Sequence, residues 1–76
     1  MVDGKLFIFG SYLRSQRQAQ GFTQETLAER SGLHPTYIGG IERGERNLGL
    51  SNLLKLAAAL DVRPSALLSI FDEDAS

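Results

Sequence analysis

The stretch Gln24–Arg43, Gln-Glu-Thr-Leu-Ala-Glu-Arg-Ser-Gly-Leu-His-Pro-Thr-Tyr-Ile-Gly-Gly-Ile-Glu-Arg, decides how the rest of the chain is read. Leu27, Leu33, Ile38 and Ile41 fall at the inward positions of two short helices. Ala28 is small where those helices must cross. Gly32 lies in the turn, where a positive φ is easiest for glycine. An ordinary αα-hairpin fits this layout. So does a helix-turn-helix, whose second helix offers its N-terminal residues to base edges. The pattern alone leaves both open.

Outward from that segment, helix starts repeat one device. In a hydrophobic staple, the residue before the N-cap packs on the residue five positions later. Phe22 and Leu27 bracket Thr23, a good cap; Leu33 and Ile38 bracket His34, with Pro35 at the first helical position. Leu48 and Leu53 bracket Gly49, and Val62 and Leu67 bracket Arg63, followed by Pro64. Leu6, Phe9, Leu13 and Gln16/Arg17 share a face of a first helix that Gly21 ends. The spacing predicts an all-α, five-helix domain with helices near 6–20, 24–31, 35–43, 50–60 and 64–71. One domain spans 1–76, with the two-helix motif at 24–43 and short flexible ends at 1–5 and 72–76.

Size and charge bound the partners. At 76 residues, a domain buries only ~60% of its unfolded surface, which disfavours a deep enclosed substrate cavity. There are no cysteines and one histidine, so disulfides and thiolate metal sites are excluded, and a cytoplasmic setting is the default. The apolar run Leu6–Phe9 is too short for a membrane span. The net charge of −1 speaks at face value against a polyanion. Yet Asp3, Asp72, Glu73 and Asp74 lie at the ends. From Lys5 to Phe71 all eight basic residues face only Glu25, Glu29, Glu42, Glu45 and Asp61, a net of +3. That modest footprint suits a solvated surface as well as a nucleic-acid partner.

Gly21-Phe-Thr-Gln-Glu-Thr-Leu-Ala28, Ser31-Gly-Leu33 and Tyr37-Ile-Gly-Gly-Ile-Glu-Arg-Gly44 resemble the Cro/phage-repressor (XRE) helix-turn-helix family. Leu13-Arg-x-x-Arg17 and Leu53-x-x-Leu-Ala-x-x-Leu60 resemble it too, so the likeness covers roughly residues 9–68. His34-Pro-Thr-Tyr-Ile-Gly39 followed by Ile41-Glu-Arg-Gly-Glu-Arg-Asn-Leu48 is most similar to the restriction–modification controller proteins. The resemblance implies a phage-repressor-like DNA-binding fold. It also implies a homodimeric regulator of double-stranded DNA on a palindromic operator, autoregulatory and without a cofactor or small-molecule ligand. RNA polymerase is a further implied partner.

On that reading, Pro35, Thr36, Tyr37 and Arg43 are the base-reading candidates. Thr36 can bond a base edge or touch a thymine methyl. Gln24 takes the family's phosphate-gripping position at a helix start, where the dipole favours an anion. Arg46 and Asn47 match phosphate-contacting positions, with Ser51 and His34 as weaker candidates. For Tyr37 a half-core role fits equally well, for Asn47 a loop-turn role, and for His34 a capping role. Family members often carry Arg, Lys or Gln where this chain has Pro35 or Gly40. Two adjacent glycines, Gly39 and Gly40, cost a helix roughly 1.6–2 kcal/mol against alanine. They are expected to mark a close backbone approach to DNA or to the first helix, with sparse direct base readout and specificity drawn from DNA shape. Arg17 and Glu42 match the family's structural ion pair.

Leu67, Leu68, Ile70 and Phe71 concentrate apolar surface in the last helix and are the expected dimer interface, the alternative being a fully intramolecular core. The rival function is a protein-interaction module of the antitoxin type with secondary DNA binding. An enzyme is excluded in practice: sole His34 sits at a helix start without a carboxylate partner, and no metal spacing or phosphate loop is present.

Overall fold

Among the described residues four chain reversals carry a residue at positive φ: at Gly32, φ 77°, the N–H donates to Ala28 O, and the other three share a second pattern. A computed structural model of the chain describes residues 4–75. Its helices are α1 (Gly4–Ala19), α2 (Gln24–Ser31), α3 (Pro35–Glu42), α4 (Leu50–Ala59) and α5 (Pro64–Leu68), followed by a 3₁₀ segment, Ser69–Ala75. After α1, Gly21 at φ 75° donates its N–H to the Gln18 carbonyl and Phe22 donates to that of Arg17. After α3, Gly44 at φ 76° donates to Ile41 O and Glu45 to Gly40 O. After α4, Asp61 at φ 55° donates to Ala58 O and Val62 to Ala57 O. All three have the Schellman bonding pattern, which satisfies carbonyls a helix end would otherwise leave free.

Asp61 alone among the described residues holds a positive φ without being glycine. The left-handed region costs an ordinary residue ~1–2 kcal/mol, while glycine loses ~0.5–1 kcal/mol to its backbone freedom. Asp61→Gly is therefore expected to stabilise the domain by ~0.5–1 kcal/mol. A melting temperature at or below that of the parent contradicts this.

The staples form. Phe22, Leu33, Leu48 and Val62 are partly buried against the core, and their partners Leu27, Ile38, Leu53 and Leu67 lie within it. Thr23 caps α2 by accepting from the Thr26 N–H, and His34 Nδ1 accepts from the Thr36 N–H at the head of α3. Gly49 and Arg63 supply no side-chain cap, so α4 and α5 start on their staples and, for α5, on Pro64. Leu13, Leu27, Ile38, Ile41, Leu56, Leu60 and Leu67 are fully buried. Around them α1 packs on α3 and α5, α2 on α3 and α4, and α4 on α5. Arg30 crosses from α2 to α4, its Nε donating to Ala59 O while its guanidinium lies over the Phe22 ring.

Two expectations change. The helix expected at 64–71 stops at Leu68 and continues as 3₁₀ turns from Ser69, whose N–H and hydroxyl both donate back to the Ala66 carbonyl three residues earlier. Gly4 and Lys5 belong to α1, and 72–75 to the 3₁₀ segment; residues 1–3 and 76 lie outside the described residues. Leu67 is also corrected. It is wholly buried beneath its own domain, where a leucine contributes ~1.5–3 kcal/mol, and offers nothing to a second copy.

Candidate nucleic-acid interface

The start of α2 and the end of α3 are locked together by a buried charge network. Arg17 on α1 donates from Nε to Glu42 Oε2 at 2.7 Å and from Nη2 to Oε1 at 3.0 Å. Its Nη1 donates to the Phe22 carbonyl at 2.8 Å. Glu42 Oε1 also accepts from Gln24 Nε2 at 3.1 Å. Only the amide nitrogen can donate to a carboxylate, so this contact fixes which way the Gln24 amide faces. The Arg17 and Glu42 side chains are 10% and 3% exposed, which makes this a buried pair. Hydrogen bonding to Glu42 is the main cause holding the Arg17 guanidinium above its ordinary pKa; burial opposes it, and the Glu42 and Glu25 charges add to it. The network places Gln24 at the N-terminus of α2, where the remaining amide hydrogen and backbone N–H groups suit a phosphate.

Across α3, His34 and Thr36 are exposed and Pro35 and Tyr37 half-buried. His34 is engaged as a cap. The Tyr37 hydroxyl donates to Asn47 O at 3.2 Å and accepts from Asn52 Nδ2 at 3.0 Å. Tyr37 thus pins the loop 43–49 to α3 and α4, and its hydroxyl already has two partners. Asn47 turns the loop, its Oδ1 accepting from the Leu48 N–H, while its amide nitrogen stays toward solvent. Arg43 and Arg46 are both exposed. Arg43 Nε pairs with Glu45 Oε1 at 3.0 Å, but both side chains are more than half exposed. Such a pair is worth ~0–1 kcal/mol and is readily exchanged for a phosphate. Ser51 is exposed at the start of α4, whose first N–H groups have no side-chain cap.

Gly39 and Gly40 are both buried, and of the two approaches expected of them the one to α1 is not made: the atoms nearest to a Cβ at either position are not on that helix. A Cβ on Gly39 would lie 3.2 Å from Arg43 Nη1 and 3.5 Å from Gln24 Oε1; on Gly40 it would lie 2.6 Å from Arg46 Cγ. The chain's own polar side chains fold over them. The close approach to α1 is made by other glycines. A Cβ on Gly10 would sit 2.7 Å from the Glu42 carbonyl oxygen, and one on Gly44 would sit 2.8 Å from Phe7 Cα. Gly10 and Asn52 are site-building residues that sequence reasoning missed. For Gly10 the available signal was a glycine in mid-helix, next to buried Phe9.

Contacts thus join Gln24, Gly39 and Arg43, then Gly40 and Arg46, then Tyr37, Asn47 and Asn52, into one polar surface built on α3. Of the expected dimer residues, Leu68 is 43% exposed and Ile70 and Phe71 are half-buried. Leu50 at 71% and Leu54 at 45% exposure, which were not expected, join them on α4. Leu6, Phe9, Leu48, Leu50, Leu53, Leu68 and Phe71 line an apolar groove. Among the described residues no helix is long and apolar enough to cross a membrane, and no cluster of His, Cys, Asp and Glu could hold a metal ion.

A family model described as helix-turn-helix matches residues 13–67. The chain is 50% identical over 62 residues to control protein C.SmaI of Serratia marcescens, covering 82% of this chain and 74% of the relative. It is similar to the crystal structure of the restriction-modification controller protein C.AhdI from Aeromonas hydrophila. That likeness has a TM-score of 0.84 and 54% identity over 86% of this chain and 98% of that one. C.Esp1396I bound to a 19 base pair DNA duplex gives a TM-score of 0.84 at 31% identity, covering 97% and 99% of the two chains.

Proposed function

From the premise that this chain belongs to the helix-turn-helix family, we propose that it is a double-stranded DNA-binding transcriptional regulator of the restriction–modification controller type. It is not an enzyme. The observation that carries this is the buried Arg17–Glu42–Gln24 network, which fixes α3 against the start of α2 while Arg43 and Arg46 lie exposed on α3's outer side. The likeness to a controller solved on a DNA duplex supports it. Gln24, Arg46, Asn47 and Ser51 grip phosphates in this reading, and Thr36 and Arg43 face base edges. With few direct readers, groove width and bending supply much of the specificity.

The regulator acts as a homodimer in the cytoplasm, on a palindromic operator. Leu50 and Leu68, which line the apolar groove, and Leu54, exposed on the same helix as Leu50, form the self-complementary surface. An isologous pair sets two α3 helices about one DNA turn, ~34 Å, apart. Activation through RNA polymerase at low occupancy and repression at high occupancy follow the controller resemblance.

Selection from random DNA is expected to return a two-fold symmetric site. Its affinity should fall gently with salt, at a slope corresponding to a handful of phosphates per dimer. Changing central bases outside the contacted half-sites should also weaken binding. In sedimentation the parent is a dimer at micromolar concentration, and Leu50→Lys combined with Leu68→Lys is a folded monomer with weakened operator binding. A parent that stays monomeric at tens of micromolar removes the dimer. Failure to select any site removes the DNA-binding reading.

A further inference from the structure

The Schellman turn at Gly44 reverses the chain so that residue 46 returns over residue 40. The Glu45 N–H bonds Gly40 O at 2.9 Å, which fixes the reversal, and the Arg46 stem then lies on α3. The three nearest atoms to a Cβ built at Gly40 all belong to Arg46: Cγ at 2.6 Å, Cβ at 3.6 Å and Cδ at 3.7 Å. No helix backbone is among them, so helix packing does not explain this glycine. Helix propensity argues against it as well, since alanine is the better residue in a helix interior. Gly40 nevertheless sits buried within α3 while Arg46 is exposed, which means the stem covers the glycine and leaves the head group in solvent.

We infer that Gly40 is a positioning residue for DNA binding: its missing side chain forms a notch that seats the Arg46 stem and holds the guanidinium over α3, aimed at backbone phosphate. α3 thereby displays a cation at a place where its own residue has no side chain. Seating restricts the rotamers of a long flexible side chain before DNA arrives, so less freedom is lost on binding. This inference rests on the DNA-binding reading above.

A four-member cycle tests it, using the full chain and the site selected with the parent: parent, Gly40→Ala, Arg46→Ala and the double variant. Melting is followed by circular dichroism and binding by fluorescence anisotropy across a salt series. Gly40→Ala is expected to melt at or above the parent temperature yet bind about tenfold more weakly, a loss of the size of one charge-assisted hydrogen bond. Its salt slope should fall by about one per protomer. Arg46→Ala shows the same two changes. The double variant binds no more weakly than Arg46→Ala, because the seat has lost its occupant. Equal weakening by Gly40→Ala in both backgrounds overturns the inference, as does parental affinity in Gly40→Ala. If Gly40→Ala alone is unstable, the double variant decides. With Arg46 truncated the notch is open and alanine fits, so a double variant that melts below Arg46→Ala also overturns it. A parent that selects no DNA refutes the underlying function instead, a result distinguishable from all of these.

Discussion

Glu42→Ala lowers the stability of the domain by ~3–5 kcal/mol, the cost of stranding a buried charge without its partner. Exposure decides between this figure and the ~0–1 kcal/mol of a surface pair, and at 10% and 3% exposed the two side chains fall on the buried side. Arg17 remains a cation when Glu42 is gone, with its Nε and Nη2 left without acceptors. For a domain of this size each lost kcal/mol lowers the melting temperature by ~4–8 °C, so the variant should melt at least ~12 °C below the parent. A melting temperature within a few degrees of the parent shows the pair to be superficial. Arg17→Ala is the milder deletion, because the remaining carboxylate keeps Gln24 as a hydrogen-bond donor.

The sign of the pH dependence follows from the same network. The Arg17 pKa is raised in the folded state, so its contribution is complete below the ordinary arginine pKa and is lost only as pH rises through the higher folded value. Arg17 therefore gives no pH switch in any working range. Arg17→Met combined with Glu42→Leu separates stability from function. Apolar replacement of a buried pair is often neutral or better, so melting should recover well above that of Glu42→Ala. DNA affinity should stay low, because Gln24 has lost the acceptor that orients it.

The fold was legible where one residue had one job. Four staples located four helix starts, since an apolar residue on each side of a cap has few other uses. The C-terminal boundary was harder because apolar spacing continues through Phe71, whereas the change to 3₁₀ turns is made by the Ser69 N–H and hydroxyl bonding back to Ala66 O. Leu67 fits two roles that exclude each other, and core packing against the Val62 staple takes it, leaving Leu68 for an outer face. The site was legible in its residue types through family likeness, but not in which side chains cover which. Gly39 and Gly40 look bare in the sequence because nothing in the local pattern says that Arg43, Gln24 and Arg46 fold back over them. Asn52 escaped notice because its partner, Tyr37, lies on another helix.

Gly10→Ala destabilises the domain by ~2–3 kcal/mol, at the upper end of overpacking costs, although alanine is the better helix former. The contrast with Gly40 is physical. At Gly40 the intruding methyl meets a side chain that can swing away. At Gly10 its nearest neighbours are the backbone of α3, the Ile41 carbonyl oxygen and the Glu42 oxygen and carbon, the last two at 2.7 and 2.9 Å. Ile41 and Glu42 close α3, and the Ile41 carbonyl is already held by the Gly44 N–H, so this backbone cannot move alone and relief requires α1 and α3 to separate as units. Glu42 lies at that crossing, and separating the helices also stretches the Arg17–Glu42 bonds. The two effects are coupled, so the loss in a Gly10→Ala and Glu42→Ala double variant should fall short of the sum of the single losses. Thermal melting of the four-member cycle checks this. Full additivity, or a Gly10→Ala variant as stable as the parent, means that the α1–α3 crossing gives way more easily than these distances imply.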